Sequence, residues 1–113
     1  MAVVADRYVQ TVVPAALLDP VIAYFNPRRV ILFGSVAHGD AGPDSDIDLL
    51  VIVDDDTPPE RVTLKAGLDA RRPYYGPADV IPVRESTFQR NARIAGTLSR
   101  GATLDGIVVY VRP

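Results

Sequence analysis

The chain contains no cysteine, so disulfides, zinc–thiolate sites and a cysteine nucleophile are excluded. It has no apolar stretch near the ~20 residues needed to span a bilayer, and no membrane association is expected. It lacks the positively charged n-region of a secretory signal, and Asp6 and Arg7 interrupt its first apolar run, so a cytoplasmic location is expected. An excess of positive charge is also missing: the formal net charge is −2, which argues against a broad nucleic-acid-binding surface. Histidine is nearly absent, His38 being the single one.

What is present suits a folded domain. The 113 residues are 48% hydrophobic and 23% charged, a globular balance. A chain of this length buries roughly 60–70% of its unfolded surface. No repeat or linker divides it, so residues 1–113 are expected to form one domain.

Leu17, Leu18, Val21, Ile22 and Phe25 recur at helical spacing between Pro14 and Pro27, with Pro20 predicting a break or a second helical start. The residues before Pro14 lean towards helix. The runs "RVILF", "DIDLLVIV", "DVIPV" and "GIVVYV" read as strands, and Pro82 places the third at an edge or strand end. A helix is predicted from Pro58–Pro59 to about Tyr74. A second is predicted to about Arg100, with Ser86 and Gln89 as a capping box. The first two strands are joined by a loop too short for a parallel crossover. The fold class is therefore α+β (mixed α/β), a small, partly antiparallel sheet with helices mainly on one face.

The chemistry lies in "GSVAHGDAGPDSDID", Gly34 to Asp48. Alternation along a strand puts Asp46 and Asp48 on one face and Ile47 and Leu49 on the other. Two such carboxylates repel unless a cation lies between them, and an all-oxygen donor set suits Mg²⁺. Gly34 permits a sharp turn and close approach of a ligand, and Ser35 offers a hydroxyl and an N–H to phosphate. Asp79 opens the third strand, and pairing that strand with the Asp46–Val53 strand brings it to the same edge. It could hold a second metal, accept a proton from an acceptor hydroxyl, or do both. Asp54, Asp55 and Asp56 stand ~26 Å further along their strand and read as a solvated exit. Arg61 with Lys65, and Arg90 with Arg93, read as solvated helical faces. Tyr74 and Tyr75 either pack across a turn or, exposed, serve a partner.

Gly34-Ser35, ten residues from Val36 to Ser45, then Asp46-Ile47-Asp48 resembles the signature of the DNA polymerase β-type nucleotidyltransferase superfamily, and within it the minimal nucleotidyltransferases (MNT proteins). "LFGSVAHG", "SDIDLLVIV" and the ending "GTLSRGATLDGIVVY" extend the likeness over nearly the whole chain. The resemblance implies the nucleotidyltransferase fold and transfer of AMP from ATP with Mg²⁺, two ions being expected. It implies Asp46, Asp48 and Asp79 as catalytic and metal-binding residues, and Gly34, Ser35, His38 and Ser45 as the nucleotide-binding set. His38 stands where the family commonly has Arg or Lys. It either donates a hydrogen bond to phosphate or faces water. Many MNT proteins are antitoxins of HEPN-domain toxins, and some attach AMP to a toxin tyrosine. The expected partner is therefore a HEPN toxin, in a hetero-oligomer, with a tyrosine hydroxyl as acceptor. An antitoxin that only masks its toxin and a small-molecule nucleotidyltransferase of the antibiotic-modifying kind remain the alternatives. A polymerase is disfavoured, because no segment remains for template binding.

Overall fold

The computed structural model describes residues 3–4, 13–34 and 46–113. Its strands are β1 (Val3–Val4), β2 (Arg29–Phe33), β3 (Ile47–Val53), β4 (Ala78–Arg84) and β5 (Ile107–Val111). Its helices are α1 (Ala15–Phe25), α2 (Leu64–Ala70), α3 (Glu85–Asn91) and α4 (Leu98–Asp105), with a 3-10 turn at Pro59–Arg61. The strands form one sheet in the order β1-β5-β2-β3-β4. β2 runs antiparallel to β3 and β5, while β4 runs parallel to β3 and β1 parallel to β5. The expected mixed, partly antiparallel sheet is present, and Pro82 lies on β4, an edge strand among the described residues.

β3 lies between β2 and β4 and is buried along almost its whole length. Leu49, Val51 and Val53 pack on one face with Leu17, Val21 and Phe25 of α1 and Ala66 and Ala70 of α2. Leu50 and Ile52 pack on the other with Ile31, Phe88 of α3 and Ala102 of α4. Burial on both faces is why β3 reads as an almost unbroken apolar run. The larger core lies under α1 and α2. The helices themselves divide, two to each face, because Phe88 and Ala102 close over the second, smaller cluster.

Several local expectations give way to tertiary packing. Val3–Val4, within the stretch expected to be helical, is strand paired with β5. Pro20 does not break α1, which runs through it. An internal proline costs about 3 kcal/mol, a penalty offset here by buried leucine, valine and phenylalanine on both sides of it. The helix expected from Pro59 to Tyr74 is a 3-10 turn followed by α2, because Thr63 restarts it: its Oγ1 accepts the Ala66 N–H at 3.0 Å. The helix expected to reach Arg100 ends at Asn91, and α4 begins anew where Thr97 Oγ1 accepts the Arg100 N–H at 3.1 Å. The capping box is not formed. The Ser86 N–H instead donates to Asp55 Oδ1 at 2.9 Å, so Asp55 is a helix cap from a distant strand exit.

Gly67 sets how closely α2 approaches the sheet. A Cβ at this position would collide with the Val80 carbonyl of β4. Gly67→Ala is expected to destabilise by about 1–3 kcal/mol through overpacking. Gly101→Ala, on a part of α4 where an added Cβ meets nothing within 4 Å, should be neutral or stabilise by roughly 0.5–1 kcal/mol. Urea unfolding of both variants checks the contrast.

Candidate active site

Register brings the carboxylates together. Asp48 of β3 lies directly opposite Asp79 of β4 and, on its other side, opposite Phe33 of β2. Gly34 follows Phe33 with a φ of +79°, the left-handed region that glycine enters without a Cβ penalty. A Cβ on Gly34 would fall on the Asp48 carboxylate, so the turn and the acid are in contact. Ile47 and Leu49 enter the larger core, while Asp48 shares its face with Leu50 and Ile52, as strand alternation requires. Asp46 stands one residue before β3 and is exposed; Asp48 is half-buried; Asp79 is exposed.

The electrostatics of Asp48 report the crowding. Its pKa is raised from the ordinary 3.8 to about 6, first by burial, then by the charges of Asp79 and Asp46, then by a hydrogen bond with Asp79. A divalent cation among these oxygens would cancel both repulsions, so the donor chemistry fits a hard ion. Among the described residues no three His, Cys, Asp or Glu side chains already converge as a ligand set. Carboxylates that repel one another have no reason to close on one point without a cation between them. Ser35, His38 and Ser45, expected on the nucleotide side, lie outside the described residues.

The acidic run at the other end of β3 has a different role. Asp54 accepts from Arg112 Nη1 and Nη2 at 3.0 and 3.1 Å and from Arg28 Nη1 at 3.2 Å. The Arg112 hydrogen bonds lead in holding its pKa below the ordinary value. Glu85 takes a bidentate pair from Arg29 at 3.1 and 2.8 Å. Asp54 therefore belongs to an ion-pair cluster that ties β2, β3 and β5 together, remote from Asp48.

The remaining candidates separate. Arg61 stacks on the Tyr24 ring at 5.0 Å, and Lys65 pairs with Asp69 at 3.0 Å. Arg90 and Arg93 are exposed, as expected. Tyr74 is half-buried beneath Arg71, whereas Tyr75 is almost fully exposed. Sequence reasoning passed over Leu64 and Leu68 of α2, which project into solvent beside Asp79. Their signal was the Leu-x3-Leu spacing on a helix whose other face is Ala66, Gly67 and Ala70.

This mixed sheet, with a glycine turn abutting paired carboxylates, has the fold of a known domain family, and comparison places the chain within it. The sequence profile of the nucleotidyltransferase domain matches residues 17–101. The chain belongs to this nucleotidyltransferase domain family, whose chemistry is nucleotidyl transfer. The fold is similar to the crystal structure of a provisionally named nucleotidyltransferase from Sulfolobus solfataricus, at a TM-score of 0.57 and 19% identity over 96% of this chain and 90% of that one. No protein of curated function matches the sequence. Among the described residues no helix is long and apolar enough to cross a membrane.

The raised pKa of Asp48 has a definite sign in stability. The folded protein holds this proton more tightly than the unfolded chain. The resulting stabilisation is full below 3.8 and is lost as pH rises through about 6. Without divalent cations, Asp48→Asn should therefore raise the melting temperature at pH 7–8 and lose that advantage towards pH 4. Discounted for the exposure of the group, the gain is about 1 kcal/mol, or roughly 4 °C. Calorimetric melting in EDTA across this pH range checks it.

Proposed function

We propose that this protein is a Mg²⁺-dependent nucleotidyltransferase that moves AMP from ATP to a hydroxyl, a tyrosine of a partner HEPN toxin, and so acts as an antitoxin. The observation that carries the transfer reading is the Asp48–Asp79 pairing beside the left-handed Gly34 turn. The Gly-Ser-x10-Asp-x-Asp signature supports the antitoxin reading through its likeness to MNT proteins.

Asp46 and Asp48 are the proposed ligands of Mg²⁺, with Asp79 completing the set. The bound ion would supply charge neutralisation at the phosphates. Gly34 makes room for the Asp48 carboxylate beside its turn, and Gly34, Ser35, His38 and Ser45 are assigned to the nucleotide side. The acceptor oxygen forms a bond to the α-phosphorus, the bond from that phosphorus to the β-bridging oxygen breaks, and pyrophosphate leaves with the electron pair. The hydroxyl proton passes to Asp79 or to water. A phenol suits this step, since its pKa of ~10 makes it easier to deprotonate than an aliphatic hydroxyl.

Two measurements test the reading. Incubation with the product of the neighbouring gene, ATP and Mg²⁺ should add one or more AMP units to that protein, read by intact mass, and Asp46→Asn should abolish the gain. Silencing of the neighbour by Asp46→Asn with no mass change would favour masking alone. Calorimetric titration with ATP and Mg²⁺ should show binding to the wild type and at least about tenfold weaker binding to Gly34→Val, whose side chain collides with the Asp48 carboxylate and strains the turn. Equal affinities would remove Gly34 from the nucleotide side.

A further inference from the structure

On the far side of Asp79 from the glycine turn lies an apolar groove of about 380 Å³, lined by Leu64 and Leu68 of α2 and by Asp79, Val80 and Ile81 of β4. Leu64 is 69% and Leu68 61% exposed, an unusual pair of neighbours for a helix that buries Ala66, Gly67 and Ala70 against the sheet. The pair is one helical turn apart and faces the same way. The close fit of Gly67 on the Val80 carbonyl seats α2 tightly enough on β4 for both leucines to stand at the sheet edge, beside Asp79.

The strand order ranks the site from one side to the other. Gly34 follows β2, Asp48 is on β3, Asp79 is on β4, and the groove lies at the β4 edge. Neighbouring strands are ~4.8 Å apart, so the groove opens on the opposite side of the carboxylates from the turn. Its lining carries one charged group, Asp79, and no cation. A triphosphate has nothing to pair with there, and an acidic ligand is repelled, the more so on a chain of net charge −2.

We infer that the Leu64–Leu68 groove is the acceptor subsite: it seats a segment of the partner protein whose acceptor hydroxyl is flanked by apolar, non-acidic side chains. The inference rests on the nucleotidyl-transfer reading and adds to it the residues that select the acceptor. The groove runs along Asp79, Val80 and Ile81 of β4, an edge strand among the described residues, and an open sheet edge suits a length of polypeptide. Its apolar side chains enter the groove, and its hydroxyl is left beside Asp79. Leu64 and Leu68 are then specificity-determining residues with no part in the bond making and breaking, which remains O–P formation with departure of pyrophosphate.

The test uses two peptides as acceptors, acetyl-Leu-Tyr-Leu-amide and acetyl-Asp-Tyr-Asp-amide, with ATP and Mg²⁺, AMP addition being read by mass. The wild type should prefer the apolar peptide. The double variant Leu64→Ser/Leu68→Ser should lose at least about tenfold in kcat/KM for it, mainly through KM, with ATP affinity and melting temperature unchanged. Leu68→Arg should shift preference towards the acidic peptide, a rescue that a merely structural role does not produce. Transfer to the apolar peptide that is unchanged in both variants, or no preference between peptides, overturns the groove while leaving the transfer reading intact. A wild type that binds ATP but modifies neither peptide also overturns it. A wild type that neither binds nor transfers nucleotide overturns both. Conversion of a wild-type dimer to monomer by the serine variant, with transfer unaltered, assigns the leucines to a second copy and overturns the inference.

Discussion

The structure depends on β3 being buried on both faces while its neighbours hold it in one register. Leu49, Val51 and Val53 belong to the core under α1 and α2, and Leu50 and Ile52 to the core under α3 and α4. A slip of one residue would exchange these sets and drive Asp48 into the larger core, where an unpaired carboxylate is strongly penalised. The same register that satisfies the leucines and valines therefore holds Asp48 opposite Asp79 and against Gly34. Packing supplies the positional accuracy of the site, and the carboxylates spend that stability, since nothing among the described residues neutralises them.

The sheet is polarised accordingly. At the end of β3 near Asp54, Arg29 of β2 pairs bidentately with Glu85, Arg112 beyond β5 pairs bidentately with Asp54, and Arg28 adds a single hydrogen bond to Asp54. At the Asp48 end, the charges of Asp79 and Asp46 bear on Asp48. One residue type thus has its proton affinity lowered at one pole and raised at the other, first by guanidinium hydrogen bonds and first by burial, respectively. A pole that satisfies its own charges has a structural task. A pole that leaves repulsion unrelieved is suited to a ligand that relieves it, and such local inconsistency is typical of functional sites.

Much of this was legible in the residues. Short apolar runs identified β2, β3 and β4, and in the β3 run two acids stand two residues apart. The Gly-Ser turn with Asp46 and Asp48 pointed to phosphate and metal chemistry, and the pairing of the Asp79 strand with β3 was anticipated and found. The helices were read less well, since their boundaries depend on hydroxyls that cap from inside a continuous polar pattern: Thr63 and Thr97 each restart a helix that periodicity alone would have prolonged. Asp55 was read as solvated because its partner, the Ser86 N–H, is thirty-one residues away.

By itself, the sequence determined the strand periodicity and with it the face that Asp48 shares with Leu50 and Ile52, because these follow from bonds and alternation within a few residues. Only the tertiary structure decided which face each helix covers, that α1 continues through Pro20, and that Leu64 and Leu68 stand exposed beside Asp79. Those outcomes turn on the burial of surfaces far apart in the chain. The collision awaiting a Cβ at Gly67 with the Val80 carbonyl has no counterpart in any local pattern, and it sets where α2, and with it the edge of the site, comes to rest.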